Sequence, residues 1–257
     1  MDLLAGLSKQ PLFDQMGVTV VAFALVLVRC LAFFHFAPVF SHKSIPSHVR
    51  IALSLLMTIM LTSKAFETVV PSDGYSLTFA IFCNFALGFL MGFVANLMFI
   101  TVVAGGEMMD SSMGFSAAQT FDPSIGTQTT IMGKFMSMLT IVVFFFVRGP
   151  ELLIKGLSNS FDTFNIYSPN LTLNVDRIIH LTGDIITMGF ILVSPVVITI
   201  LVNDLVLGLV SRAAPQINAF QISFTVKPVI GLFIWMLILP LFFTGLVNFF
   251  MTPSRLF

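Results

Sequence analysis

Charge is scarce in this sequence of 257 residues, because only 9% of them are Asp, Glu, Lys or Arg. An ordinary soluble domain carries about 25% of such residues, so the composition excludes a water-soluble globular protein. The twelve basic residues balance the twelve acidic ones, and no basic surface of the kind that binds a phosphate backbone is indicated. We therefore expect no nucleic-acid partner.

Cysteine is also rare, and both Cys30 and Cys83 lie in apolar runs without a CxxC motif. This pattern indicates buried thiols and neither a disulfide framework nor a zinc site. The four histidines lack metal-ligand spacing, so we expect no metal and no cofactor. Gly183 and Asp184 form half of an aspartyl intramembrane protease motif, but the sequence offers no second membrane-centred aspartate. We therefore expect a protein that is not an enzyme.

Long apolar runs dominate instead, since 57% of the residues are hydrophobic. Runs at 18–39, 75–106, 185–210 and 228–250 give three or four helices able to cross a membrane. Two shorter runs, 51–63 and 135–147, would form about 20 Å of helix where about 30 Å of hydrocarbon must be crossed. Apolar runs this long rarely form strands. The sequence predicts an all-α fold of integral-membrane-type helical hairpins with broken helices.

Lysine and arginine fall almost evenly along the loops, so no side of the membrane is clearly positive. Together with the two short runs, this indicates hairpins that depend on neighbouring protein for burial. The region 149–184 is the most polar part of the chain. We expect an exposed connection there, with a short amphipathic helix near 175–181, and a second short connector at 212–227.

The glycine-rich, polar segment 105–133 is the most informative part of the sequence. We expect Gly105 and Gly106 to break the preceding helix and Glu107 and Asp110 to follow one helical turn apart. Irregular backbone at membrane depth is tolerated only where protein buries it or where it lines an aqueous cavity. Flexible methionine and phenylalanine side chains can seal a passage and still separate for a varied cargo. A pore or gate loop fits this pattern, and a solvent-exposed loop between two hairpins is the alternative.

Four polar or small residues indicate contacts between helices. Arg29, within the first apolar run, would cost about 2.5–3.5 kcal/mol at the centre of a membrane helix, and we expect it to contact an acidic group. Gly88 and Gly92 have GxxxG spacing, which lets another helix approach closely. Asn84 needs a hydrogen-bond partner if it is buried, and we expect another subunit to supply it.

Two segments, GEMMDSSMGFSAAQTFDP at 106–123 and APQINAFQISFTVKP at 214–228, resemble the signature regions of the FliR/SpaR/YscT family of type III secretion export-gate proteins. The similarity covers essentially the whole chain in length and in the order of its segments. It implies a FliP-like helical unit at 1–184 fused to a FliQ-like helical hairpin at 185–257, with 212–227 as the turn. It also implies that 106–123, the gate segment, closes a pore until an unfolded substrate passes.

The expected functional residues fall into two groups. The gate residues are Gly106, Glu107, Met108, Met109, Asp110, Met113, Gly114, Phe115, Phe121, Asp122 and Pro123. The residues expected to contact other subunits are Gly88, Gly92, Arg212, Pro215, Gln216, Asn218, Phe220 and Lys227.

The resemblance implies a subunit of the flagellar type III secretion export gate, required for flagellum assembly. Its partners would be FliP and FliQ homologues in a helical hetero-oligomeric ring, a FlhB-type export switch protein, unfolded flagellar export substrates and membrane lipid. It would lie in the bacterial inner membrane at the flagellar basal body, with part of the assembly on the periplasmic side. The alternative is a small-molecule secondary transporter with a discontinuous-helix binding site, which predicts an inverted repeat that the sequence does not show.

Overall fold

The computed structural model describes residues 11–41, 45–65, 74–115, 130–167, 175–216 and 218–251. Within these ranges the chain forms seven helices and no strand. The helices are α1 Pro11–Phe36, α2 Ser47–Ala65, α3 Gly74–Met113, α4 Ile131–Phe146, α5 Gly149–Thr163, α6 Val175–Ala213 and α7 Ala219–Met251. The prediction of an all-α fold is confirmed.

Among the described residues, four helical segments are long and apolar enough to cross a membrane, by length and composition: Thr19–Phe36, Ser76–Met113, Ile178–Ala213 and Gln221–Met251. The bent pair α4 and α5 would bring the number to five if it counted as one span. Helix α2 is apolar over Ser47–Thr62 but shorter than a span, as its sequence indicates. The described residues thus have the helix lengths of a multi-pass membrane protein.

The chain divides into two compact units, and the first contains the described residues up to 96 and those from 151 to 175. It holds α1, α2, the first half of α3 and most of α5. Its core is a cluster of buried apolar side chains: Ala22, Leu25, Val26, Phe33, Phe34, Leu157, Phe161, Ile166 and Tyr167. The Phe33 and Phe34 rings meet edge to face with centroids 5.3 Å apart, an arrangement that the ring quadrupoles favour.

Helices α1 and α3 approach closely because α3 presents two glycines to α1. A side chain at Gly88 would overlap the carbonyl oxygen of Arg29, and a Cβ at Gly92 would lie 2.8 Å from that of Phe33. The close approach expected of the GxxxG spacing therefore occurs within this chain. A contact of these two glycines with another subunit stays a prediction.

The second unit contains the described residues within 97–150 and 176–256. Its helices α6 and α7 form an antiparallel hairpin, in which Leu192 packs at Gly245 and Asp204 pairs with Lys227 nearer the turn. Helices α4 and α7 share aromatic contacts, namely Phe135 with Trp235, Phe144 with Phe250 and Phe146 with Phe243. Aromatic pairs of this kind stabilise helix contacts beyond the area they bury.

The predicted break at Gly105 and Gly106 is wrong, because α3 continues through both residues to Met113. A glycine inside a helix costs about 1 kcal/mol relative to alanine, and close packing at both positions offsets this cost. A Cβ at Gly105 would lie 2.9 Å from Val193 Cγ1. The helix instead ends at Gly114, whose φ of 85° is a left-handed conformation that glycine adopts without strain.

The predicted exposed connection at 149–184 is also wrong in part. Helix α5 lies within it, and Leu157, Phe161 and Ile166 are buried in the core of the first unit. The short helix expected near 175–181 is the first two turns of α6, which continues to Ala213. The connector expected at 212–227 narrows to 214–218, because α7 begins at Ala219.

The predicted division into 1–184 and 185–257 does not coincide with the two compact units. The boundaries between these units fall at 96–97, 150–151 and 175–176. That division follows the FliP-like and FliQ-like ancestry that the resemblance implies, whereas the units follow packing within one chain. The assignment by ancestry therefore stays a prediction.

Candidate functional site

The described part of the gate segment, 106–115, forms the last turns of α3 and its end. Met109 and Met113 are fully buried, whereas Met108 is 44% exposed on the opposite side of the helix. Glu107 is exposed and Phe115 is half-buried. The apolar side chains expected to act together as a seal are thus divided between the interior of the chain and its surface.

Met113 packs against α7 at a glycine. A Cβ at Gly231 would lie 2.7 Å from both Cγ and Cε of Met113, so a larger residue there would require the Met113 side chain to shift. The flexible side chain of methionine can adapt to the space beside a glycine. The end of α3 is therefore held against α7 by packing.

Asp110 connects the end of α3 to the start of α4 through a hydrogen bond. Its carboxylate is fully buried, and Oδ2 accepts from the backbone N–H of Met132 at 2.9 Å. Thr130 is the N-cap of α4, and its hydroxyl oxygen accepts from the N–H of Gly133 at 3.1 Å. The first turn of a helix leaves its N–H groups without partners and carries partial positive charge, which favours a carboxylate there.

Two glycines bring α3 and α4 together beside this hydrogen bond. A Cβ at Gly106 would lie 2.7 Å from Met136 Cγ and 2.9 Å from the Met132 carbonyl oxygen. A Cβ at Gly133 would lie 3.0 Å from Glu107 Cγ. The two helices are therefore in backbone contact here, and we call this contact, with Asp110 and Met132, the α3–α4 junction.

The structure describes only one of the remaining gate residues. Gly114 ends α3, and Phe121, Asp122 and Pro123 lie outside the described residues. Among the described gate residues of the second unit, Gly106 and Asp110 contact α4, and Met113 contacts α7.

The residues expected at subunit contacts lie mostly at the α6–α7 turn. Arg212, in the last turn of α6, is exposed, as are Pro215 and Gln216 in the turn. Asn218 is exposed and caps α7, since its side-chain oxygen accepts from the Gln221 N–H at 3.2 Å. Their exposure leaves them accessible to a neighbour.

The other two residues of this group differ from the exposed ones. Phe220 lies in the first turn of α7, and its side chain is not among those that the structure describes. Lys227 is within α7 and pairs with Asp204 of α6 at 2.7 Å. Lys227 therefore has a contact within its own chain.

Arg29 lies in the first unit and is fully buried. Its Nε donates to Asn84 Oδ1 and its Nη1 to the Ser160 carbonyl oxygen, each at 2.9 Å. Its Nη2 donates to the Phe164 carbonyl oxygen at 3.2 Å, and the guanidinium carbon lies 4.2 Å from the Phe161 ring centroid. The expected acidic partner is wrong, because neutral oxygens and an aromatic ring surround this cation among the described residues.

Asn84 is satisfied within the chain rather than by another subunit. Its amide nitrogen donates to the carbonyl oxygens of Ala80 at 2.7 Å and Ile166 at 2.8 Å, while its oxygen accepts from Arg29. The expected partner in another subunit is therefore wrong.

Sequence reasoning missed the residues on the other side of each contact. The unrecognised partners are Thr130, Met132, Gly133, Met136, Ser160 and Gly231. A Thr three residues before Gly133 is a recognisable N-cap signal, but nothing local reveals which carboxylate reaches α4. Among the described residues, no group of three His, Cys, Asp or Glu side chains could hold a metal ion.

The helix lengths and the packed end of α3 define the class of molecule, a multi-pass α-helical membrane protein. The sequence profile of the family described as bacterial export proteins, family 1, matches residues 20–252. The chain therefore belongs to this family of bacterial export proteins.

Individual relatives are similar over most of their length. The surface presentation of antigens protein SpaR of Shigella sonnei is 26% identical over 245 residues, which cover 95% of each chain. The flagellar biosynthetic protein FliR of Escherichia coli K12 is 28% identical over 216 residues, 84% of this chain and 83% of the relative. FliR of Bacillus subtilis 168 is 27% identical over 233 residues, 89% and 90% respectively. The resemblance to FliR and SpaR is confirmed.

Proposed function

We propose that this chain is a subunit of a type III secretion export gate and forms, with FliP and FliQ homologues, a channel for unfolded proteins. It acts as a passive gate without enzymatic activity of its own. It assembles in the bacterial inner membrane at the flagellar basal body, partly on the periplasmic side, in contact with a FlhB-type protein.

The observation that carries this proposal is the family match over residues 20–252. The relatives include both flagellar FliR and the antigen-presentation protein SpaR, at 26% to 28% identity. The match includes both signature segments, so it extends to the end of α3 and to the α6–α7 turn.

The apolar surface of the second unit supports an assembly of several chains. Within the chain, only 28% of the apolar window of α6 and 22% of that of α7 is buried. Lipid can cover such faces, but exposed polar groups near the turn and the even distribution of basic residues favour contact with neighbouring protein. A partner helix would bury the outer faces of α6 and α7.

The transporter alternative loses its main support. A discontinuous-helix binding site needs unwound backbone at membrane depth, and α3 is a continuous helix through Gly105 and Gly106. We therefore do not favour a small-molecule transporter.

Association with partners tests the proposal. A tagged chain extracted in mild detergent from its native membrane should bring FliP and FliQ homologues with it. Replacing exposed Leu241 in α7 by Glu should reduce this co-purification, because a charge would enter the proposed contact. Replacing exposed Lys155 in α5 by Glu serves as the control. A stable monomer that transports a small solute in liposomes would contradict the proposal.

A second experiment addresses the gate segment. In the assembled complex, deleting residues 108–121 should make the membrane permeable to ions and small solutes, because the seal is removed. Permeability equal to that of the complete complex would show that this segment is not the seal.

A further inference from the structure

Asp110 places a buried carboxylate in the α3–α4 junction, where the two helices also meet at two glycines. Gly106 and Gly133 already hold the two helices in backbone contact. Thr130 already caps the first turn of α4. Apolar packing and a local cap thus act beside the carboxylate, which adds a hydrogen bond between α3 and α4.

The carboxylate is only half satisfied in this position. Oδ2 accepts from the Met132 N–H, but no donor among the described residues reaches Oδ1, although Asp110 is fully buried. A buried ionised group with an unpaired oxygen costs free energy that water would return on exposure. The bond to Met132 and the positive end of α4 oppose this cost.

We propose that Asp110 is a releasable latch of the α3–α4 junction. In the closed junction one oxygen is bonded and the other is not, and in the open junction water hydrates both oxygens. The carboxylate therefore stabilises the closed junction through its bond to Met132 and destabilises it through its buried, unpaired oxygen, so the closed form is favoured less than with a neutral acceptor at this position. This inference rests on the proposed function, since it makes Asp110 the residue that positions the end of α3 in the gate.

Glu107 offers a matched comparison one helical turn away. It carries a carboxylate on the same helix, but it is exposed, and its contact with α4 is that of its Cγ with Gly133. Neutralising Glu107 therefore removes the same charge without removing a latch.

Cysteine labelling measures opening of the junction in the full chain in native membranes. Met136 is fully buried and packs at Gly106, so Met136→Cys reports opening by its reaction rate with a maleimide. Met138, on the exposed side of α4 at 57% exposure, provides Met138→Cys as a reporter that should not respond. The chain without an introduced cysteine gives the background from buried Cys30 and Cys83.

Substitutions at Asp110 should move the labelling rate in opposite directions. Asp110→Ala leaves the buried N–H of Met132 without its acceptor, which costs more than the burial of the carboxylate, and should raise the rate at position 136 about tenfold or more. Asp110→Asn retains an acceptor oxygen without the buried charge and should lower the rate severalfold. Glu107→Gln should leave the rate unchanged.

Three results would overturn the latch. They are an unchanged rate in Asp110→Ala, an equal increase in Asp110→Asn and Asp110→Ala, or an effect of Glu107→Gln as large as that of Asp110→Ala. An increase shared by Asn and Ala would mean a structural anchor only. Labelling of the buried Cys30 and Cys83 that stays at background in each variant controls for unfolding.

Export separates the latch from the proposed function, because labelling does not depend on export. If Asp110→Asn slows labelling as expected and also slows secretion of substrate, both proposals are supported. If it slows labelling and secretion is unchanged, the latch stands and its place in the export path is wrong. If labelling does not change, the latch fails whatever secretion does.

Discussion

Arg29 shows how a cation can be buried in an apolar helix without an acid. The planar guanidinium reaches acceptors in three directions, from Asn84, Ser160 and Phe164, and lies over the Phe161 ring. Carbonyl and amide dipoles replace water here, and the ring quadrupole adds a cation–π contact. One side chain thus ties α1 to α3 and to the end of α5.

Replacing Arg29 by Ala should destabilise the protein by about 3 kcal/mol or more, because several buried acceptors lose a charged donor. Arg29→Lys should recover only part of this loss, since an ammonium cannot copy the fork of the guanidinium. Arg212→Ala, at an exposed position of α6, should change stability by less than about 0.5 kcal/mol. Unfolding temperatures in detergent measure all three, and equal values for Arg29→Ala and the parent would contradict this role.

At the residue scale, the sequence predicts that Arg29, Asn84 and Asp110 matter but not what they contact. Each is polar within or beside an apolar run, and burial of such a group demands a partner. The partners of Arg29 are mostly backbone carbonyl oxygens near Ser160, over a hundred residues away along the chain. No local pattern marks a carbonyl oxygen as an acceptor, so these contacts require the tertiary structure.

At the scale of helices, small residues decide which pairs approach closely. Gly88 and Gly92 of α3 let the backbone of α1 approach closely. Gly106 of α3 and Gly133 of α4 likewise let α3 and α4 approach each other closely. Van der Waals packing at such positions is a main source of stability between membrane helices, since lipid offers no hydrophobic driving force.

Gly106→Ala should destabilise the protein by about 1–3 kcal/mol, because the added methyl group meets Met136 and the Met132 carbonyl oxygen. Gly208→Ala provides the matched control, since a Cβ there meets no atom within 4 Å on exposed α6. That change should stabilise by up to about 1 kcal/mol through helix propensity. Thermal unfolding measures both, and effects of the same sign would show that packing at Gly106 is not tight.

The ion pair between Asp204 and Lys227 should contribute to the register of the α6–α7 hairpin. Its side chains are 45% and 21% exposed, so we expect a coupling free energy of about 1 kcal/mol or less. A double-mutant cycle with Asp204→Asn and Lys227→Met measures it. Additive effects of the two substitutions would mean that the pair contributes nothing.

Helix type and approximate length follow from the sequence, whereas helix ends do not. The run at 75–106 predicts one long helix, and α3 is that helix extended to Met113. Gly105 and Gly106 are typical of a break, but their contacts with Val193 and Met136 retain them in the helix. Tertiary packing outweighs local propensity at such positions.

At the scale of the whole molecule, the low content of charged residues indicates a membrane protein. It also leaves apolar surface that other chains could cover. Helices α6 and α7 expose long apolar faces, while the end of α3 is fixed by Met113 at Gly231 and by Asp110 at α4. A packed end of α3 together with exposed apolar faces on α6 and α7 is consistent with one subunit of a larger assembly. We propose that the end of α3 lies on the path of the exported protein.

Photocrosslinking to an export substrate trapped in the assembled complex tests that claim most directly. A photoreactive residue at Met108 or Phe115, at the end of α3, should crosslink to the trapped substrate. The same residue at Met236, 72% exposed on α7, should crosslink to lipid or to a neighbouring subunit. Crosslinks to substrate from position 236 and none from positions 108 and 115 would contradict the account.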